Sequence, residues 1–138
     1  MSDKSPSPTL DDLRASLRSV PHHHYVMIFV TDVERSVEFY RDKLGFTLAR
    51  PAGGGLAKLD FGLAKLYLYQ DAAQSEPARP HRDAILAFNP GDVDAYYAAV
   101  QAKGVPFAKD LGDEPWGDRD FSVKDPDGYE LWFVNSAK

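Results

Sequence analysis

Trp116-Gly-Asp-Arg-Asp-Phe-Ser-Val-Lys-Asp-Pro-Asp-Gly-Tyr-Glu-Leu-Trp-Phe-Val134 reads as a β-hairpin. Asp125-Pro126-Asp127-Gly128 has the composition of a type I turn: Asp first to bond back to the backbone, Pro with its φ preset, and Gly last. Two strands must flank it. Phe121 and Val123 point one way on the incoming strand, and Tyr129, Leu131 and Phe133 alternate with Glu130, Trp132 and Val134 on the outgoing one. Glu130 therefore shares a face with Trp132. The run Asp118-Arg119-Asp120 beside the hairpin reads as a solvated edge.

Working backwards, Ala84 to Phe88 predicts a strand, Asp92 to Lys103 a helix stopped by Gly104, and Phe107 to Lys109 the start of another strand. The same order stands earlier in the chain. Tyr25 to Val30 is an apolar run too short for a helix and predicts a strand buried on both faces. Thr31-Asp-Val-Glu34 reads as a capping box opening a helix whose face is Val33, Val37, Tyr40 and Leu44, with Gly45 as its stop. Phe46 to Arg50, Ala57 to Phe61 and Lys65 to Tyr69 predict three short strands, the first two joined by a flexible Gly53-Gly54-Gly55 loop. Asp32-Val33 and Asp92-Val93 each start a helix, and Gly45 and Gly104 each end one, so the chain repeats one βαβββ unit.

The fold class is therefore α+β: two βαβββ modules, about 22–70 and about 83–136, within a single domain over 21–138. Residues 1–20 form a tail and a short amphipathic helix near 10–19, with Leu10, Leu13, Leu17 and Val20 at helical spacing. A net charge of −5 with no Lys/Arg cluster argues against nucleic acid or an anionic membrane surface. No apolar run suits a bilayer span or a signal core, so the expected location is the cytoplasm. With zero Cys, the strong metal ligands available are His and carboxylates.

Val30-Thr-Asp-Val-Glu-Arg-Ser-Val-Glu-Phe-Tyr40 with Leu44-Gly-Phe46, and Trp116-Gly with Asp125-Pro-Asp-Gly128, resemble the vicinal oxygen chelate superfamily of glyoxalases, bleomycin resistance proteins and dioxygenases. The resemblance implies a cupped mixed-sheet barrel and a homodimer whose chains often share a site. In metal-using members it also implies ligands at positions that fall here on Tyr25, Asp83 and Trp132, two of which are aromatic. Two residues towards the N-terminus on each strand stand His23, His81 and Glu130, a donor set suited to zinc, iron or nickel.

Strand parity supplies a second set of candidates. If Val26, Ile28 and Val30 pack under the first helix, Tyr25, Met27 and Phe29 face the cup, as do Tyr67, Tyr69 and Trp132. Tyr25, Tyr67, Tyr69, Glu130 and Trp132 are thus the predicted ligand-binding residues, suited to an aromatic or hydrophobic molecule. No nucleophile elbow or other covalent machinery is present, and no catalytic residue is assigned. The leading reading is a metal-independent small-molecule binder without a cofactor. The alternative is a metal-dependent enzyme of lyase, isomerase or dioxygenase type using His23, His81 and Glu130.

Overall fold

The computed structural model describes residues 6–7, 9, 11, 24–70 and 85–136. The expected N-terminal helix apart from Asp11, His22, His23, the connector 71–82 with His81, Asp83 and Ala84 lie outside the described residues. Two modules of like order are present. The first comprises β1 (Val26–Phe29), helix α1 (Val33–Glu38) continued by a π-helical turn (Phe39–Lys43), β2 (Thr47–Gly53), β3 (Leu56–Phe61) and β4 (Ala64–Tyr69). The second comprises β5 (Leu86–Phe88), α2 (Val93–Ala102), β6 (Phe107–Asp113), β7 (Arg119–Lys124) and β8 (Glu130–Asn135). Each forms a four-stranded mixed sheet, in the orders β1-β4-β3-β2 and β5-β8-β7-β6, with the first strand parallel to the last. The two sheets are cupped and separate, so the barrel is not closed.

Local chemistry explains both helix starts. Asp32 is extended (φ −142°, ψ 105°), and its carboxylate accepts hydrogen bonds from the Glu34 and Arg35 amides; Asp92 does the same for Ala95. The first cap is thus Asp32 rather than the predicted Thr31, whose own amide is turned towards Asp127 of the second module at 3.2 Å. Each helix also has its first amide satisfied from the end of its own sheet: Val33 N–H donates to Gln70 Oε1 (2.9 Å) and Val93 N–H to Asn135 Oδ1 (3.0 Å). The sequence pattern of the repeat does not reveal that matching pair. The predicted helix face holds, since Val33, Val37, Tyr40 and Leu44 are all buried, but its last turn widens to a π form, with Leu44 N–H donating to Phe39 O.

The core lies between the two modules. Phe46 and Phe61 stack at 4.6 Å, Phe61 meets Phe88 and Phe133 edge-on at 5.7 Å each, and Tyr96 lies 4.8 Å from Phe133. Such ring pairs contribute roughly 0.5 to 1.5 kcal/mol each beyond area burial. The type I turn read from the sequence is present, with Gly128 N–H donating to Asp125 O, and it is docked into the first module. Tyr40 Oη–H donates to Asp125 Oδ2 at 2.7 Å, and Tyr129 Oη–H donates to Phe29 O at 2.9 Å. One motif therefore closes a hairpin and bolts the modules together.

Three expectations need correction. β1 is not buried on both faces, because Tyr25, Met27 and Phe29 are 39, 37 and 52% exposed while Ile28 and Val30 are buried. Its continuous apolar run hides a strand with one covered face and one open one. The Gly53-Gly54-Gly55 loop is a closed turn: Gly55 (φ +85°) accepts the Gln70 amide on its carbonyl, and a Cβ there would collide with Gln70 O. Asp120, expected at a solvated edge, is buried at 2% exposure.

Candidate functional site

Alternation along the strands places the predicted ligand-binding residues on the faces turned away from the core. On the first sheet, Met27 is registered with Tyr67 and Phe29 with Tyr69. Tyr25 and Tyr67 stack in parallel, 4.1 Å apart at 10°, and His24 meets the Tyr25 ring edge-on. Lys58, opposite Tyr67 on β3, holds its Nζ 5.0 Å from that ring's centroid. The result is an aromatic surface open to solvent.

The corresponding face of the second sheet is polar. Ser122 is registered with Trp132 on β8 and with Lys109 on β6, and Ala87 completes the row. Ser122 Oγ–H donates to Glu130 Oε1 at 3.1 Å. Lys109 Nζ lies 2.8 Å from Asp120 Oδ1, 2.9 Å from Glu114 Oε1 and 5.8 Å from the Trp132 ring centroid. Trp132 is half-buried, and its Nε1–H finds no hydrogen-bond partner among the described residues. An unsatisfied buried donor costs about 1 to 3 kcal/mol.

Lys109 escaped the sequence reading as a partner of Asp120, which itself reads as a solvated edge, because a bulge in β6 breaks the alternation that would have aligned Lys109 with β7. Burial pushes the Asp120 carboxyl above its ordinary value, although Lys109 pulls the other way; the hydrogen bond from Lys109 holds Glu114 below its own. Native Asp120 therefore holds its proton more tightly than the unfolded chain does. Its contribution to stability is complete below the unfolded value and is lost as pH rises through the raised one, whereas that of Glu114 is lost as pH falls. Asp120→Asn removes the first contribution, so the variant should gain stability relative to wild type as pH climbs from about 4 towards 7. Urea midpoints across that span check it, and a relative loss contradicts it.

The five predicted residues thus form two groups, Tyr25, Tyr67 and Tyr69 on one sheet and Glu130 and Trp132 on the other. Among the described residues no ring contact or hydrogen bond joins the groups. A cavity of about 230 Å³ between the first strands of the modules is walled by Tyr25, Val26, Ala64, Lys65 and residues 85–88; Tyr67, Tyr69, Glu130 and Trp132 are not among its walls.

A divalent cation does not fit the positions at which the family resemblance implies ligands. Tyr25 is engaged in a ring stack, and Trp132 offers an N–H donor with no lone pair to share. Among the described residues, no three His, Asp or Glu side chains gather in a metal-holding group. Of the displaced set, Glu130 faces outward beside Ser122, while His23 and His81 lie outside the described residues.

Comparison with known proteins places these faces in a family. The chain is 28% identical over 123 residues to a bleomycin resistance protein of Geobacillus stearothermophilus, covering 79% of this chain and 92% of that one. It is also 28% identical over 122 residues to a lactoylglutathione lyase of Haemophilus influenzae, covering 81% and 90%. The crystal structure of TioX from Micromonospora sp. ML1 superposes with a TM-score of 0.65 at 26% identity, covering 83% of this chain and 98% of that one. Residues 22–133 match the family model itself, and with both βαβββ modules in place the chain belongs to the Glyoxalase/Bleomycin resistance protein/Dioxygenase superfamily.

Proposed function

We propose that the protein binds an aromatic or hydrophobic small molecule without a metal ion or other cofactor. Tyr25, Tyr67 and Tyr69 contribute one wall of the site, and Glu130 and Trp132 contribute another. The observation that carries the reading is the open face of the first sheet, where a parallel tyrosine pair stands beside uncovered Met27 and Phe29. A contiguous exposed patch of that kind marks a binding surface more often than an ordinary exterior. Similarity to a protein named for bleomycin resistance supports a binding role.

The protein acts as a homodimer in the cytoplasm on this reading, the second copy covering part of the exposed strand and bringing a further sheet towards the ligand. Light scattering that returns the mass of one chain at micromolar concentration contradicts the dimer. Tyr67→Ala and Trp132→Ala should each weaken binding of a naphthalene-type probe about 3- to 10-fold, in line with the loss of one well-placed ring contact. Calorimetric titration reads the change, and unaltered affinity in both variants contradicts the assigned walls.

A second reading, a metal-dependent enzyme using His23, His81 and Glu130, draws support from the similarity to a lactoylglutathione lyase and from the outward position of Glu130. Metal content separates the two.

A further inference from the structure

We propose that the open face of the first sheet is selective for an organic anion with a flat apolar body, and that Arg50 and Lys58 hold its acidic group. This rests on the aromatic-binding reading above and narrows its ligand class. The strand registers align Arg50 with Lys58, Lys58 with Tyr67, and Tyr67 with Met27, so four outward side chains cross the sheet in one row. At about 4.8 Å per strand the row spans roughly 14 Å at the backbone. The next row brings Leu56, Tyr69 and Phe29 alongside. Cations thus occupy one side of the face and exposed apolar side chains the other.

Arg50 and Lys58 stand directly opposite each other on neighbouring strands, an arrangement of like charges that destabilises a sheet. The chain does not lack carboxylates to relieve it, with 21 Asp and Glu against 16 Lys and Arg. Several cations do have carboxylate partners, Lys65 with Asp60, Arg41 with Asp42, Arg119 with Asp94 and Asp113, and Lys109 with Asp120 and Glu114, while Lys43, Lys103 and Lys124 have none among the described residues. Among the described residues no carboxylate pairs with Arg50 or Lys58, and the contact of the Lys58 ammonium is with the Tyr67 ring. An acidic group placed between the two cations relieves their repulsion, and its attached ring system covers Met27, Phe29 and Tyr69. A cationic ligand on the same face meets the repulsion instead.

The test is calorimetric titration with three probes sharing one ring system: naphthoate, naphthalenemethanol and naphthylmethylammonium. Wild type should bind naphthoate about tenfold or more tighter than the alcohol at low salt, with the advantage shrinking as sodium chloride is added. In the Arg50→Gln/Lys58→Gln double variant the ratio of naphthoate to alcohol affinity should fall to about one, whatever the absolute affinity of each. Equal binding of all three probes, preference for the ammonium, or an anion preference that survives the double variant overturns the charge assignment and leaves the aromatic reading standing. Failure of all three probes to bind wild type overturns both. The salt titration uses wild type alone and decides the matter if the double variant does not fold.

Discussion

Asp125→Ala should destabilise the chain by about 3 to 5 kcal/mol, because one side chain satisfies three donors at the junction of the modules. Its Oδ2 accepts the hydroxyl of Tyr40, which is fully buried, and its Oδ1 accepts the amides of Asp127 and Tyr129 at 2.9 Å each. Alanine leaves the phenol without a partner in a place water does not reach, and it loosens the turn that carries Tyr129 to Phe29. Tyr40→Phe removes only the donor and should cost about 1 to 2 kcal/mol. Burial raises the Asp125 carboxyl above its ordinary value and also raises the Tyr40 phenol well above its own. The three donors pull that value the other way, so only the protonation-linked part of Asp125's stability falls as pH rises through the raised value, and the comparison belongs at one fixed pH. Urea denaturation measures it, and a cost for Asp125→Ala no larger than for Tyr40→Phe contradicts the bolted-turn account.

Phe133→Ala is the second large effect, again about 3 to 5 kcal/mol. The ring is 0% exposed and touches Phe61 of the first module together with Phe88, Tyr96 and Phe121 of its own. Deleting it opens a void where four rings meet, and rigid aromatic neighbours do little to fill it. Phe29→Ala is the internal control, since it removes a ring of the same size from an exposed site and should cost no more than about 1 kcal/mol. Similar midpoints for the two variants would mean that the face of the first sheet is not open.

The large features of the fold were legible because they recur. Asp-Val starts, Gly stops and a strongly coded turn each appear where the repeat requires them, and strict alternation put Tyr25, Met27 and Phe29 on one side of β1 and Glu130 with Trp132 on one side of β8. Bulges defeat the same reasoning. Counting by twos from Leu48 sends Arg50 to the core, yet the extra residue between them turns Arg50 outward to face Lys58. The bulge in β6 likewise hides Lys109 from its partners Asp120 and Glu114. Nor does parity say whether two outward faces belong to one cavity. That depends on how the sheets are set against each other, which here is fixed by contacts far apart in sequence, such as Tyr129 to Phe29, a hundred residues apart.

Binding on these faces, as proposed, needs no metal, which calorimetric titration of naphthoate into protein dialysed exhaustively against EDTA puts to the test. The account predicts saturable binding with an affinity within about twofold of the untreated protein. Binding that disappears on chelation and returns when zinc, iron or nickel is restored would contradict it.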